Sequence, residues 1–247
     1  MTQENFGRWA ATVNMELAHK TLLTAIKSGP GCPRLAVFYG PSGYGKTVAA
    51  AAAAARTDAA YLRVESLWTQ KTLLEEFARE LGVLKIANTA INIFRQIKLQ
   101  LQTEPRPIII DEMDNLVNRR AVEVIRDIHE ATDIAILMIG EEQMPARLKE
   151  WDRFDNRIVA MEAAEPATLA DGLLLRNIYA DKVAIADDLI AYFVESCAGV
   201  TRRIVINIHR AERFAIEQLG TVEIDRAAWG NTPVLTNALP RRRELLR

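Results

Sequence analysis

The stretch "GPSGYGKT", residues 40–47, satisfies the spacing G-x-x-x-x-G-K-[ST] in full. Glycines at such a turn let backbone N–H groups wrap a phosphate, and a helix starting there turns its positive end to the same anion. Lys46 is the residue to neutralise the β and γ phosphates of a nucleoside triphosphate, and Thr47 the residue to ligate Mg²⁺. The whole loop, Gly40, Pro41, Ser42, Gly43, Tyr44, Gly45, Lys46 and Thr47, is the expected nucleotide site. Further on, "IIIDE" ends an apolar run in two acids. Asp111 is expected to join the Mg²⁺ shell and Glu112 to polarise the attacking water. A glutamate directly after the aspartate favours true hydrolysis over a switch that waits for a partner's catalytic group.

These motifs need a scaffold, and the patterning supplies one. A helix is expected over 5–28, with apolar positions at Trp9, Val13, Leu17, Leu22 and Ile26, before "SGPGCP" breaks it. "RLAVFY" is a buried strand that runs into the phosphate loop, and an alanine-rich helix follows to about Arg56. "AYLRVE" reads as the second strand, and a helix from Thr69, its N-cap, stops at Gly82. Another helix covers 88–102, "RPIIID" is strand three, a helix runs over 119–131, and "IAILMIG" is strand four. "PARLKEWDRF" is helical and "RIVAME" is strand five. Strands alternating with helices over 34–162 imply an α/β fold with a parallel sheet. From 167 to 219 the periodicity is helical, which predicts a small all-helical domain with its boundary near Pro166.

Composition narrows the class. The chain has 247 residues, 49% hydrophobic and 26% charged, which suits a folded protein and excludes disordered or fibrous ones. The start lacks an apolar signal region. The longest apolar helical run, 48–55, is too short to span a bilayer. Cys32 and Cys197 lie far apart without metal-ligand spacing and are expected to be reduced, so the expected location is the cytoplasm. A net charge of −1 demands no polyanionic partner, but from Thr201 onward nine arginines face five acids.

Other arginines have candidate roles. In "WDRFDNRI", Arg153 or Arg157 could project into a neighbouring subunit's nucleotide, with Arg153 the preferred one. In "AGVTRRI", Arg202 or Arg203 could reach the γ-phosphate as a lid closes. The alternative for each is a solvated surface arginine. Strand four ends in "GEEQM", where Glu141, Glu142 and Gln143 are candidate phosphate sensors or plain polar residues opening a helix. His129 and His209 read as packed or solvated histidines.

Together, "GPSGYGKT", "IIIDE", "DRF" and "GVTRR" resemble the AAA+ ATPases over about residues 10–220. The trans-arginine, the lid arginine and the helical lid look like the clade of initiators and transposition regulators. Compact size and a basic tail look most like the transposition-regulator group, typified by the phage Mu B protein and its TniB and TnsC relatives. "DEMDNLVNRRAVEVIRDIHEAT" is the most specific carrier of that likeness. The resemblance implies a sheet ordered 5-1-4-3-2 with ATP and Mg²⁺ as cofactors. It divides the chain into 1–165, the nucleotide domain, and 166–247, the lid with its basic tail. It further implies a DNA-binding ATPase that assembles on duplex DNA as a filament or ring, selects target DNA and stimulates a transposase. Only about 33 residues precede the first strand, too few for the amino-terminal helix-turn-helix domain of the Mu protein, so DNA contact is expected on the ATPase module. Arg119 and Arg120, after the acid pair, and Lys71, with Trp68 nearby, are the candidate phosphate contacts. The alternative is a solvated helix face in which Arg119 pairs with Glu123. The competing functions are a regulatory ATPase with a protein partner and a helicase or clamp-loader-like subunit.

Overall fold

The computed structural model describes residues 11–29, 31–117 and 121–236. The described residues divide into two compact units, one within Asn14–Ser42 and Lys46–Ala164, the other within 11–13, Gly43–Gly45 and 165–236.

The larger unit holds α1 (Val13–Ile26), β1 (Leu35–Tyr39), α2 (Lys46–Thr57), β2 (Ala60–Arg63), α3 (Gln70–Glu80) and α4 (Ala90–Thr103). It continues through β3 (Ile108–Asp111), α5 (Asp114–Val117), α6 (Val122–Thr132), β4 (Ile136–Gly140), α7 (Met144–Leu148), α8 (Asp152–Asp155) and β5 (Ile158–Ala163). The five strands are parallel in the order β2-β3-β4-β1-β5, which is the expected order read from its other edge. Burial explains the sequence of each strand. The inner β3 and β4 are buried throughout and almost purely aliphatic, as a parallel sheet covered on both faces requires. The edge strands β2 and β5 tolerate Arg63 and Glu162 because solvent reaches them.

Helices cover that sheet by different means. Alanines 49, 50, 52 and 53 of α2 are buried, and their small side chains let the helix backbone approach the strands closely. In α3 the Thr69 hydroxyl accepts the Thr72 N–H at 3.1 Å, which satisfies one orphan donor of the first turn. Gly82 follows with φ 79°, a conformation that ends the helix at little cost for glycine.

Expectations at several elements need correction. Helix α1 begins at Val13, not residue 5: residues 11 and 12 are not helical, and 1–10 lie outside the described residues. The helix expected over 119–131 is α6, Val122–Thr132, with residues 118–120 outside the described ones, and a separate single turn α5 precedes it unforeseen. The "PARLKEWDRF" stretch is split, into α7 and α8.

The smaller unit contains α9 (Leu169–Tyr179), β6 (Ala184–Ile185), α10 (Asp187–Ser196), α11 (Thr201–Phe214), a π-helical turn at Ala215–Leu219, β7 (Glu223–Ile224) and α12 (Arg226–Trp229). It is therefore mainly helical but not wholly so, since β6 and β7 form a short parallel ladder. Its core gathers Leu189, Phe193, Ile204, Ile208 and Trp229, with Phe193 and Phe214 each edge-on to Trp229 at 5.3 Å. Asn207 is fully buried and satisfied: its amide donates to the carbonyls of Arg203 and Leu235, and its oxygen accepts from Leu235 N–H and Arg210. That side chain pins residue 235 to α11. Cys32 and Cys197 are both free thiols. Among the described residues no helix is long and apolar enough to cross a membrane.

Candidate nucleotide-binding site

The phosphate loop leaves β1 and enters α2, the strand-to-helix setting that its chemistry needs. Gly43 and Gly45 hold φ at 89° and 81°, a region that side chains disfavour. A Cβ at Gly40 would meet the Cβ of Ala164 at 2.9 Å, so that position also lacks room. Lys46 folds back along the loop, its Nζ donating to the carbonyls of Gly40 at 2.6 Å and Pro41 at 2.9 Å. Burial pushes its ammonium below the ordinary value of 10.5, against the pull of Glu141, Asp111, Glu112 and Asp114. Thr47 is the second residue of α2 and half-buried.

The acid pair sits at the end of β3. Asp111 is 2% exposed. Its Oδ1 accepts the backbone N–H of Glu112 at 2.9 Å, and its Oδ2 accepts the hydroxyl of Tyr61 at 2.9 Å. Burial, and then the adjacent Asp111 carboxylate, push the Tyr61 hydroxyl far above its ordinary range, so it stays an O–H donor. Glu112 takes φ 58°, left-handed for a residue with a side chain, and its carboxylate lies 3.4 Å from Arg63. Both partners of that pair are partly exposed, so its contribution is small. Asp114, at the start of α5, is also buried; its Oδ2 accepts the Glu141 N–H at 2.6 Å and its Oδ1 faces Arg147 at 3.7 Å. Asp114 therefore ties the acid-pair segment to the tip of β4. Gly140 leaves the space for this, because a Cβ there would lie 2.4 Å from Asp114 Oδ2.

Tyr61, Arg63 and Asp114 were not singled out from the sequence. The first two join the acids only through strand pairing. With Tyr61 paired to Ile109 and Arg63 to Asp111, the strand period of two puts all four side chains on one face. Glu141, Glu142 and Gln143 are exposed at the tip of β4, which does run between β3 and β1. Of the three, Glu141 exerts the largest attraction on Lys46.

The remaining candidates are distributed more widely. Arg153 is exposed on α8 and makes no ion pair among the described residues. It lines a cavity of about 400 Å³ with Arg126, Glu130, Asn156 and Arg157. Arg126 is paired with Glu123, Asp127 and Glu130, and Arg157 with Glu130 at 3.0 Å, so Arg153 is the cation of that group left unneutralised. Arg202 and Arg203 open α11, and the Arg202 N–H donates to the Gly43 carbonyl at 3.0 Å within the smaller unit. Lys71 lies 3.5 Å from Glu75, and Trp68 packs against the core of the larger unit. Arg119 and Arg120 lie outside the described residues, as do Arg241, Arg242, Arg243 and Arg247. Glu123, the alternative partner for Arg119, is bonded to Arg126. His129 is buried and bonds the Ile134 carbonyl at 3.0 Å.

These residues fit a nucleotide with a divalent cation. Lys46 lies in the field of four carboxylates, of which Glu112 and Asp114 also face Arg63 and Arg147, while Asp111 and Glu141 make no ion pair with an arginine among the described residues and would be offset by a bound cation. Among the described residues no three acidic, histidine or cysteine side chains form a ready metal cage.

The sheet order and the strand-loop-helix turn define a phosphate-loop α/β fold. Residues 32–148 match the family model described as AAA domain, a span that takes in β1 to β4 and both motifs. Among solved structures, the Aeropyrum pernix ORC2 protein in its ADPNP–ADP complexes aligns with a TM-score of 0.68 at 16% identity, over 87% of this chain and 64% of that one. The ORC1 protein of the same organism, in complex with DNA, gives 0.58 at 17% identity over 87% and 62%. Cdc6p from Pyrobaculum aerophilum gives 0.62 at 14% identity over 90% and 66%. At such identities the likeness is one of fold. The chain spans less than two thirds of the length of each. No curated protein matches the sequence.

Proposed function

We propose that this chain is an ATPase that binds duplex DNA without reading its sequence, assembles along it when ATP is bound, and regulates a transposase. The observation that carries the ATPase part is Lys46 held by the carbonyls of Gly40 and Pro41 within reach of the field of a buried Asp111. In this reading Gly40 to Lys46 hold the phosphates, and Thr47 and Asp111 hold the Mg²⁺ shell. Bound Mg²⁺ supplies the positive charge that offsets charge developing on the γ-phosphate. Glu112 polarises the attacking water. Arg153, unpaired and exposed, supplies charge to a neighbouring subunit's nucleotide. Arg202, bonded through its backbone to Gly43, and Arg203, both at the start of α11, are the proposed lid cations for the γ-phosphate.

The DNA part is supported by a fold shared with a protein solved on DNA, and by the basic carboxyl end. The transposition part is supported by the likeness of residues 111–132 to that group. Arg119, Arg120 and Lys71 are the proposed phosphate contacts, with Lys71 partly offset by Glu75. A salt-titrated binding assay on duplexes of unrelated sequence tests this. The parent is expected to bind all of them only with ATP or a slowly hydrolysed analogue. Arg119→Ala/Arg120→Ala is expected to flatten the salt slope by about two while ATP affinity stays unchanged. Unchanged DNA affinity in that variant removes the assignment, and strand separation by the parent promotes the helicase reading.

A further inference from the structure

We infer that Tyr61 is a positioning residue for Asp111, fixing the carboxylate that the divalent cation needs. This rests on the nucleotide reading of the loop. The observation is the 2.9 Å hydrogen bond from the Tyr61 hydroxyl to Asp111 Oδ2, made between adjacent parallel strands. Tyr61 is itself held from the other side. It belongs to an edge strand, and its outward backbone N–H donates to Glu80 Oε1 at 3.1 Å, where an edge would otherwise leave it unpaired. The strand is fastened on its inner side by Ala60 N–H to the Pro107 carbonyl and Val64 N–H to the Asp111 carbonyl, each at 2.9 Å.

Asp111 is thereby fixed at both oxygens, Oδ2 by Tyr61 and Oδ1 by the Glu112 N–H. A carboxylate has about four lone-pair positions, so two donors leave two positions free and set their direction. One of the two donors belongs to Glu112, whose φ of 58° is off the strand path. Loss of the Tyr61 O–H frees the carboxylate to turn about its side-chain torsions and removes half of this restraint. Partners that orient a metal ligand in this way are worth roughly 10–100-fold in metal affinity. Tyr61→Phe removes the one oxygen and keeps the ring, so packing beside β3 is preserved.

The test is metal affinity measured apart from turnover. Mn²⁺ is titrated into the nucleotide-loaded full chain and followed by electron paramagnetic resonance, with a fluorescent ATP analogue titrated in EDTA and a thermal melt as controls. Tyr61→Phe is expected to match the parent in the melt and in metal-free nucleotide binding, and to weaken Mn²⁺ binding about 10-fold. In an Asp111→Asn background the same substitution is expected to add nothing, since the two residues act as a unit. Unchanged Mn²⁺ affinity in Tyr61→Phe overturns the inference, as does an equal loss in the Asp111→Asn background. A parent chain that binds no nucleotide in either condition contradicts the proposed function, and this inference with it. A parent that binds metal and nucleotide while Tyr61→Phe has no effect contradicts only the inference.

Discussion

Lys46 and Glu112 make opposite demands on their surroundings, and each demand can be measured. Glu112 is half in solvent beside a weakly held Arg63, so its replacement leaves the loop intact. Glu112→Gln is expected to keep nucleotide affinity while lowering turnover about 10²–10⁴-fold, the range for a positioned base. Single-turnover hydrolysis against equilibrium binding checks it, and equal loss in both refutes the role. Lys46 gives a pH-dependent signature. Its pKa is lowered on folding, so at neutral pH charging it opposes folding, and that penalty disappears once both states are neutral above 10.5. Parent stability therefore gains relative to a variant without the group as pH rises toward 10.5. The Tm of Lys46→Met minus that of the nucleotide-free parent is expected to fall across that interval. A pH-independent difference in differential scanning fluorimetry contradicts it.

At the scale of elements, β3 both carries the acids and anchors the larger unit. Ile108, Ile109 and Ile110 are fully buried, so Ile109→Ala is expected to cost about 2–5 kcal/mol of stability. Urea denaturation measures this, and a loss under 1 kcal/mol would mean the sheet centre is loosely packed. Much of this layer was legible in the sequence, because its signals are local. Aliphatic runs marked β1, β3 and β4, and the Thr69 cap and Gly82 stop bracketed α3 closely. What escaped was either too short or depended on pairing. Two-residue strands such as β6 and β7 contain no full period to detect. The turn α5 hides between the acids and α6 because four residues show no amphipathic face. Tyr61 and Asp114 became site residues only through their neighbours: β2 lies against β3, and the tip of β4 meets the start of α5. The phosphate loop and acid pair, by contrast, were readable because their chemistry depends on spacing along the chain.

For the whole molecule, charge arithmetic decides how DNA could be held. A net charge of −1 gives no long-range attraction, so the proposed DNA binding would have to come from local groups. With Arg119, Arg120 and Lys71 as the proposed contacts, one subunit would make two or three phosphate contacts, whereas steep salt dependence needs roughly six to ten. Repetition along the duplex multiplies weak contacts without new ones, which makes assembly a requirement of the account. In the proposed reading Arg153, exposed and without an ion pair among the described residues, links nucleotide state to a neighbouring copy. Electron microscopy of the full chain with duplex DNA and a slowly hydrolysed ATP analogue tests this most directly. The account predicts ordered rings or filaments on DNA that are lost when the analogue is omitted; particles that stay monomeric on DNA with the analogue bound would contradict it.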